Sequence, residues 1–200
     1  MARIVLVCGI GCSGTSATAG VIHKLGVPMG VEEHFNKHPQ GFGLYEDACF
    51  YGAFSQAFHF RRRWIEHQAM MSGVKIWGLK NTVMGLHLEW VIPIIEEFDD
   101  SVKVVAVHRG FTGSVAGRMN GKCPPKKHYS RESAVAWWLR AMRGLTGQLQ
   151  KADVPQLHIG FEELINDTET TVDRMIEFIF KGYANPDKDT IQYALDHIEK

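Results

Sequence analysis

The chain opens on an apolar run, Arg3-Ile4-Val5-Leu6-Val7-Cys8, that passes into Gly9-Ile10-Gly11-Cys12-Ser13-Gly14 and then into a helix-like stretch from Thr15 to Leu25. No other feature restricts the fold as much. A continuous Ile/Val/Leu run lacks the alternation of a half-exposed strand, so it reads as a strand buried on both faces of a parallel sheet. Hydroxyl residues open the following helix and Gly26 closes it. Strand, glycine turn and helix form the first unit of an α/β fold.

Two further runs repeat the strand signal, Val74 to Leu79 and Val102 to Val107, and Leu157 to Ile159 is a shorter one after Pro155. Helices are expected from Val83 to Phe98, with a kink or start at Pro93, and from Phe111 to Met119, Arg131 to Lys151, Thr168 to Lys181 and Asp187 to Glu199. The segment from Val31 to Ser72 is rich in Phe, His and Arg and predicts helices from Glu46 to Phe58 and from Arg63 to Met71. Strands alternating with helices imply a P-loop NTPase-like three-layer α/β fold, with a parallel sheet of four or five strands flanked by helices. With 200 residues, 45% of them hydrophobic, and no internal repeat or low-complexity linker, residues 1–200 are expected to form a single domain.

The glycine loop satisfies two patterns. Gly9-x-Gly11-x-x-Gly14 after a strand and before a helix meets the dinucleotide fingerprint, and Gly9, four residues, Gly14 and then Thr15-Ser16 meets most of a phosphate loop. Both place backbone amides around an anion at a helix N-terminus. Against a dinucleotide, Val27-Pro28-Met29-Gly30 before Glu32 and Glu33 is too broken to be a central strand. Against a nucleoside triphosphatase, position 15 is Thr rather than Lys, and no strand closes on a Walker-B Asp. The hydroxyls of Ser13, Thr15 and Ser16 suit a phosphate or sulfate held without an obvious Mg²⁺ site.

Charge narrows the partners. The chain carries 22 Lys plus Arg against 22 Asp plus Glu, so its surface is not built for polyanions and no nucleic-acid partner is expected. The neutrality is uneven, because residues 101–150 hold nine Lys/Arg against Glu132 alone. The glycines and hydroxyls after Ile4 rule out a membrane span or a signal peptide there. Cys8, Cys12, Cys49 and Cys123 lack CxxC spacing, so a reduced, cytoplasmic protein is expected.

Several motifs in order resemble the sulfotransferase family, in its short bacterial and phage-like members. They are Cys12-Ser13-Gly14-Thr15-Ser16 with the later Leu25-Gly26-Val27-Pro28-Met29-Gly30; Gln40-Gly41-Phe42-Gly43-Leu44-Tyr45-Glu46-Asp47; Gly78-Leu79-Lys80-Asn81-Thr82; Val104 to Arg109; and Phe161-Glu162-Glu163-Leu164-Ile165 with Ile176-Glu177-Phe178-Ile179. The resemblance implies transfer of a sulfuryl group from 3′-phosphoadenosine 5′-phosphosulfate (PAPS) to a hydroxyl or amine of a small-molecule or carbohydrate acceptor. It implies that Gly11, Cys12, Ser13, Gly14, Thr15 and Ser16 hold the 5′-phosphosulfate and that Arg109 holds the 3′-phosphate. Lys80 would neutralise charge on the bridging oxygen, and Glu46 would be the general base. The family places Lys or Arg where this chain has Cys12. Its serine eight positions after the phosphate-binding arginine falls on Gly117, with Ser114 as the nearby substitute.

Two rival readings stand beside it, a nucleotide or dinucleotide enzyme using the glycine loop and a catalytically silent protein that binds PAPS or its bisphosphate product. Single residues also have plainer roles. Glu46 could cap a helix, Asp47 could take the base role, and Lys80 could be a solvated strand-end charge. Arg61-Arg62-Arg63 reads as a solvated helix face, and Trp137 and Trp138 read as packing residues. No metal is expected, and His108 has no second ligand at useful spacing.

Overall fold

The computed structural model describes residues 2–37, 43–47, 50, 57–98, 101–121 and 128–198. Its main sheet contains β1 (Arg3–Gly9), β4 (Ile76–Lys80), β5 (Ser101–His108) and β6 (Gln156–Gly160), in the order β4-β1-β5-β6 with every pair parallel. A two-stranded antiparallel ribbon, β2 (Phe35–Lys37) and β3 (Gly43–Asp47), stands apart from it. The helices are α1 (Thr15–Lys24), α2 (Ala57–Met70), α3 (Leu88–Glu96), α4 (Phe111–Met119), α5 (Arg131–Lys151), α6 (Phe161–Asn166), α7 (Thr168–Phe180) and α8 (Lys188–Asp196).

The uniformly apolar first strand feeds two cores because successive side chains leave opposite faces. Ile4, Leu6 and Cys8 join Trp77, Leu79, Val104 and Ala106 under α2, α3 and α5. Val5 and Val7 join Val105, Val107 and Ile159 under α1, α7 and α8. Helix layer, sheet and helix layer are the architecture that the alternating elements imply. Among the described residues, no helix is long and apolar enough to cross a membrane.

The structure departs from the sequence reading in two places. Glu46 does not open a helix: it lies on β3 (Gly43–Asp47). Tyr45, just before it, adopts a left-handed φ of 48° and belongs to the same ribbon. The expected helix from Val83 to Phe98 is divided into a 3-10 turn, Met84–Leu86, and α3, with Pro93 inside the latter. The segments 48–49 and 51–56, the acidic turn at Asp99-Asp100 and the Lys122 to Lys127 loop lie outside the described residues.

Ligand sites in open parallel sheets form beyond the carboxyl ends of the strands, where strand order reverses. That reversal falls at β1, flanked by β4 and β5. The glycine loop, Lys80 and Arg109 all lie at this edge, because Lys80 ends β4 and Arg109 follows β5.

Candidate functional site

The turn after β1 is tight. Cys12 and Gly14 take left-handed φ values of 67° and 92°, and the Ser13 amide donates to the Ile10 carbonyl at 3.1 Å. A side chain at Gly9 would stand 2.6 Å from the Val107 carbonyl, and one at Gly14 would run into the Phe161 ring. Glycine at these two positions lets the loop lie against β5 and α6. Gly14 starts α1 without any side-chain cap, and the fully buried Ser13 hydroxyl has no hydrogen-bond partner. Open amides beside an unpartnered buried hydroxyl fit a tetrahedral oxyanion.

Lys80 is 2% exposed, and its Nζ donates to Glu46 Oε1 at 2.6 Å and to Ser16 Oγ at 3.3 Å. Its partners come from β3 and the first turn of α1, so one ammonium joins three elements. Burial pushes the Lys80 pKa down from the ordinary lysine value, and the neighbouring Glu46 carboxylate opposes that shift. Thr15 is buried behind the loop.

Arg109 reaches back from the end of β5. Its Nη1 donates to the Cys12 carbonyl at 3.3 Å, and its guanidinium lies 4.7 Å above the Phe161 ring. Glu162 faces it with 3.9 Å between Arg109 Nε and Oε1, and the same carboxylate accepts from the Gly110 amide. Ser114 is fully buried and its hydroxyl donates to the Arg109 carbonyl at 3.4 Å, while Gly117 is buried within α4. Gly11 lies beneath Trp137, whose indole would be 3.4 Å from a side chain there.

The structure thus brings Ser16, Lys80 and Glu46 into contact and sets Arg109 against the Cys12 carbonyl of the same loop and the Phe161 ring that Gly14 abuts. Sequence reasoning left out Phe161 as a neighbour of Gly14, and it counted Arg118 only as a member of the basic block. The Arg118 guanidinium lies 4.4 Å from the Tyr129 ring and 4.6 Å from the Trp137 ring. The basic block was the available signal for Arg118, and the aromatic opening α6 was the signal for Phe161. Trp137 packs as expected, but it packs on the loop itself. Arg61 pairs with Glu97, and Arg62 and Arg63 pair with Glu66, as a solvated helix face would.

Two corrections concern cysteine and histidine. Cys8 is a free thiol whose pKa is pushed up to about 12 by burial, whereas Cys12 is disulfide-bonded, which the cysteine spacing did not foreshadow. His108 does have an imidazole neighbour: its Nε2 lies 2.8 Å from Nδ1 of His158 on the adjacent strand, with the rings stacked. Spacing along the chain could not reveal a partner 50 residues away. Among the described residues, no three His, Cys, Asp or Glu side chains converge as a metal-binding group.

No protein-family model matches the sequence, and no curated protein matches it. Solved structures do. The sulfotransferase domain from the curacin biosynthetic pathway aligns with a TM-score of 0.58 at 12% identity, over 96% of this chain and 78% of that one. Sulfotransferase STF9 from Mycobacterium avium aligns with a TM-score of 0.61 at 12% identity, over 99% of this chain and 68% of that one. The chain has a sulfotransferase-like fold.

Proposed function

We propose that the chain transfers a sulfuryl group from PAPS to a hydroxyl or amine of a small-molecule or carbohydrate acceptor. The observation that carries this reading is the Ser16–Lys80–Glu46 contact chain beside the glycine loop, which joins a phosphate-type cradle to a cation and a carboxylate base. When bound, PAPS supplies the activated sulfuryl group. The Ser13 hydroxyl and the amides opening α1 hold its 5′-phosphosulfate, and Arg109 takes the 3′-phosphate.

Lys80 and Glu46 neutralise one another when no anion competes. An incoming phosphosulfate gives Lys80 a second anionic partner, which frees the Glu46 carboxylate to accept the proton that the acceptor loses as its oxygen or nitrogen bonds to sulfur. Lys80 then faces the bridging oxygen that leaves as its bond to sulfur breaks, and stabilises the charge left on it. Like phosphoryl transfer, such chemistry consists of positioning and electrostatics.

Binding is tested first, by thermal shift with adenosine 3′,5′-bisphosphate, PAPS, ATP and NAD, because a ligand that binds the native state raises its melting temperature. The bisphosphate and PAPS should stabilise, and ATP and NAD should not. No response to the bisphosphate would sink the proposal. Turnover is tested with Lys80→Ala, which should lower the sulfate-transfer rate on the order of a hundredfold or more, the scale of removing one transition-state donor. Cys12 supports a second reading, a silent bisphosphate-binding protein, because a disulfide-bonded residue stands where the resembled family carries a cation. Sulfate transfer to any acceptor excludes it.

A further inference from the structure

Among the described residues, the ribbon that carries Glu46 has no hydrogen-bonded strand partner in the main sheet. An isolated pair of strands is marginal in water, so something beyond β2 and β3 must hold the Glu46 carboxylate 2.6 Å from Lys80. The Phe35 and Tyr45 rings, packed against His23 of α1, supply one hold, and the residue after Glu46 supplies a second. Asp47 is buried, its Oδ2 accepts from the Val31 amide at 3.1 Å, and the same oxygen lies 3.1 Å from Nδ1 of His67 on α2, with both side chains fully buried. Gly30, at φ 125°, makes room for it: a side chain there would stand 2.7 Å from Asp47 Oδ2.

His67 is unusual in its own right. Its side chain is fully buried, and neither ring nitrogen makes a well-directed hydrogen bond; the Nδ1 contact to Asp47 is close but poorly aimed. Such burial is costly, and an apolar side chain would fill the space at no such cost. The ring is enclosed by Phe50 at 4.9 Å, Trp64 at 6.3 Å and Trp77 at 4.7 Å between centroids. Trp77 belongs to β4, the strand that ends in Lys80. His67 therefore touches the neighbour of one member of the Glu46–Lys80 pair and packs on the strand bearing the other. Tyr45, left-handed on the other side of Glu46, turns the backbone where two adjacent carboxylates must face different partners.

We infer that Asp47 and His67 form a buried positioning pair that locks the Glu46-bearing ribbon onto the Lys80-bearing strand. The inference rests on Glu46 being the general base. Its direct claim, that His67 keeps Glu46 on Lys80, is measurable without turnover.

The test is the rate at which an amine-reactive reagent labels Lys80 in the intact protein, read by mass spectrometry, with Lys103 as the internal control. Lys103 is a buried lysine that donates to the Phe178 carbonyl, remote in contact from this pair. His67→Leu should raise Lys80 labelling on the order of tenfold by loosening the ribbon locally, and leave Lys103 unchanged. His67→Asn, which places a donor near the Nδ1 position, should restore protection. In a Glu46→Gln background, His67→Leu should add nothing, because interacting positions are not additive. If His67→Leu fails to fold, Asp47→Asn undergoes the same comparison.

Unchanged Lys80 labelling, or a parallel rise at Lys103, overturns the inference. The kinetic counterpart is bisphosphate release from PAPS with 4-nitrophenol as acceptor. There His67→Leu should lower kcat up to about a hundredfold at constant PAPS KM, the penalty of a misplacement near 1 Å. Full activity in Glu46→Gln would instead overturn the base assignment and leave the labelling result standing.

Discussion

Arg109 leaves β5 with its guanidinium over the Phe161 ring and one nitrogen on the Cys12 carbonyl, while Nε faces Glu162 at 3.9 Å without a hydrogen bond. The residue is oriented from three sides, yet keeps a buried donor available. Hydrogen bonds to charged groups contribute about 1.5–3 kcal/mol. Arg109→Met should therefore weaken adenosine 3′,5′-bisphosphate binding on the order of ten- to a hundredfold by calorimetry, while adenosine 5′-monophosphate, lacking the 3′-phosphate, should bind both proteins alike. Equal losses for the two ligands would remove the 3′-phosphate assignment. Arg109 was readable in the sequence because it follows an apolar strand, and strand ends at this edge bind ligands. Its companions Phe161 and Glu162 were not, because their proximity is created by the parallel pairing of β5 and β6. Glu46 was singled out through its motif and lies against Lys80, although its local structure was misjudged. A left-handed tyrosine leaves no trace in hydrophobic periodicity.

The same parallel pairing builds the His108–His158 contact. Ala106 stands beside His158 and His108 beside Gly160, so the two rings rise from neighbouring strands and stack. One hydrogen bond between two imidazoles requires one to donate and the other to accept, and protonating both would set two charges against each other. The pKa of His108 is pushed down, chiefly by burial and then by His158, with Glu163 acting in the opposite sense. A histidine whose folded pKa lies below its unfolded value of about 6.5 stabilises the fold as the neutral form. The unfolded chain binds the proton first on acidification, so this contribution is full above the unfolded value and is lost as pH falls below it. Denaturant midpoints should therefore drop between pH 7 and pH 5, and His108→Asn should flatten that slope. A variant with the wild-type slope would assign the acid sensitivity to other groups. β1, α1, β5 and α5 were recoverable from the sequence because long apolar or amphipathic periods mark them. The β2–β3 ribbon was not, because three- and five-residue strands show too few alternations to outweigh the helix-like aromatic spacing that follows.

Across the described residues, the cations of this neutral chain separate into those beside the glycine loop and those at a helix C-terminus, a division that counting along the chain obscures. Nine cations fall within residues 101–150, and that block forms one anion-binding surface only if its members stay together. They do not. Arg109 and Arg118 lie near the glycine loop, Arg118 through Trp137, which covers Gly11. Lys103 lies toward the start of β5 and donates to the Phe178 carbonyl near the C-terminus of α7, where Arg3 likewise donates to the carbonyls of Ile179 and Lys181. A cation at a helix C-terminus satisfies carbonyls that lack amide partners and opposes the helix dipole. Lys103 is pushed down to about 8, first by burial and then by Arg3 and Lys181. Between about 8 and the ordinary lysine value near 10.5, the unfolded chain holds a proton that the folded chain has released. Stability contributed by this group therefore rises with pH across that window. Lys103→Met should abolish the rise in urea denaturation measured from pH 8 to pH 10, and it should leave bisphosphate affinity within about twofold, because its charge is screened from the loop by distance and solvent. A large loss of bisphosphate affinity in Lys103→Met would return Lys103 to the anion site and restore the basic block as one functional surface.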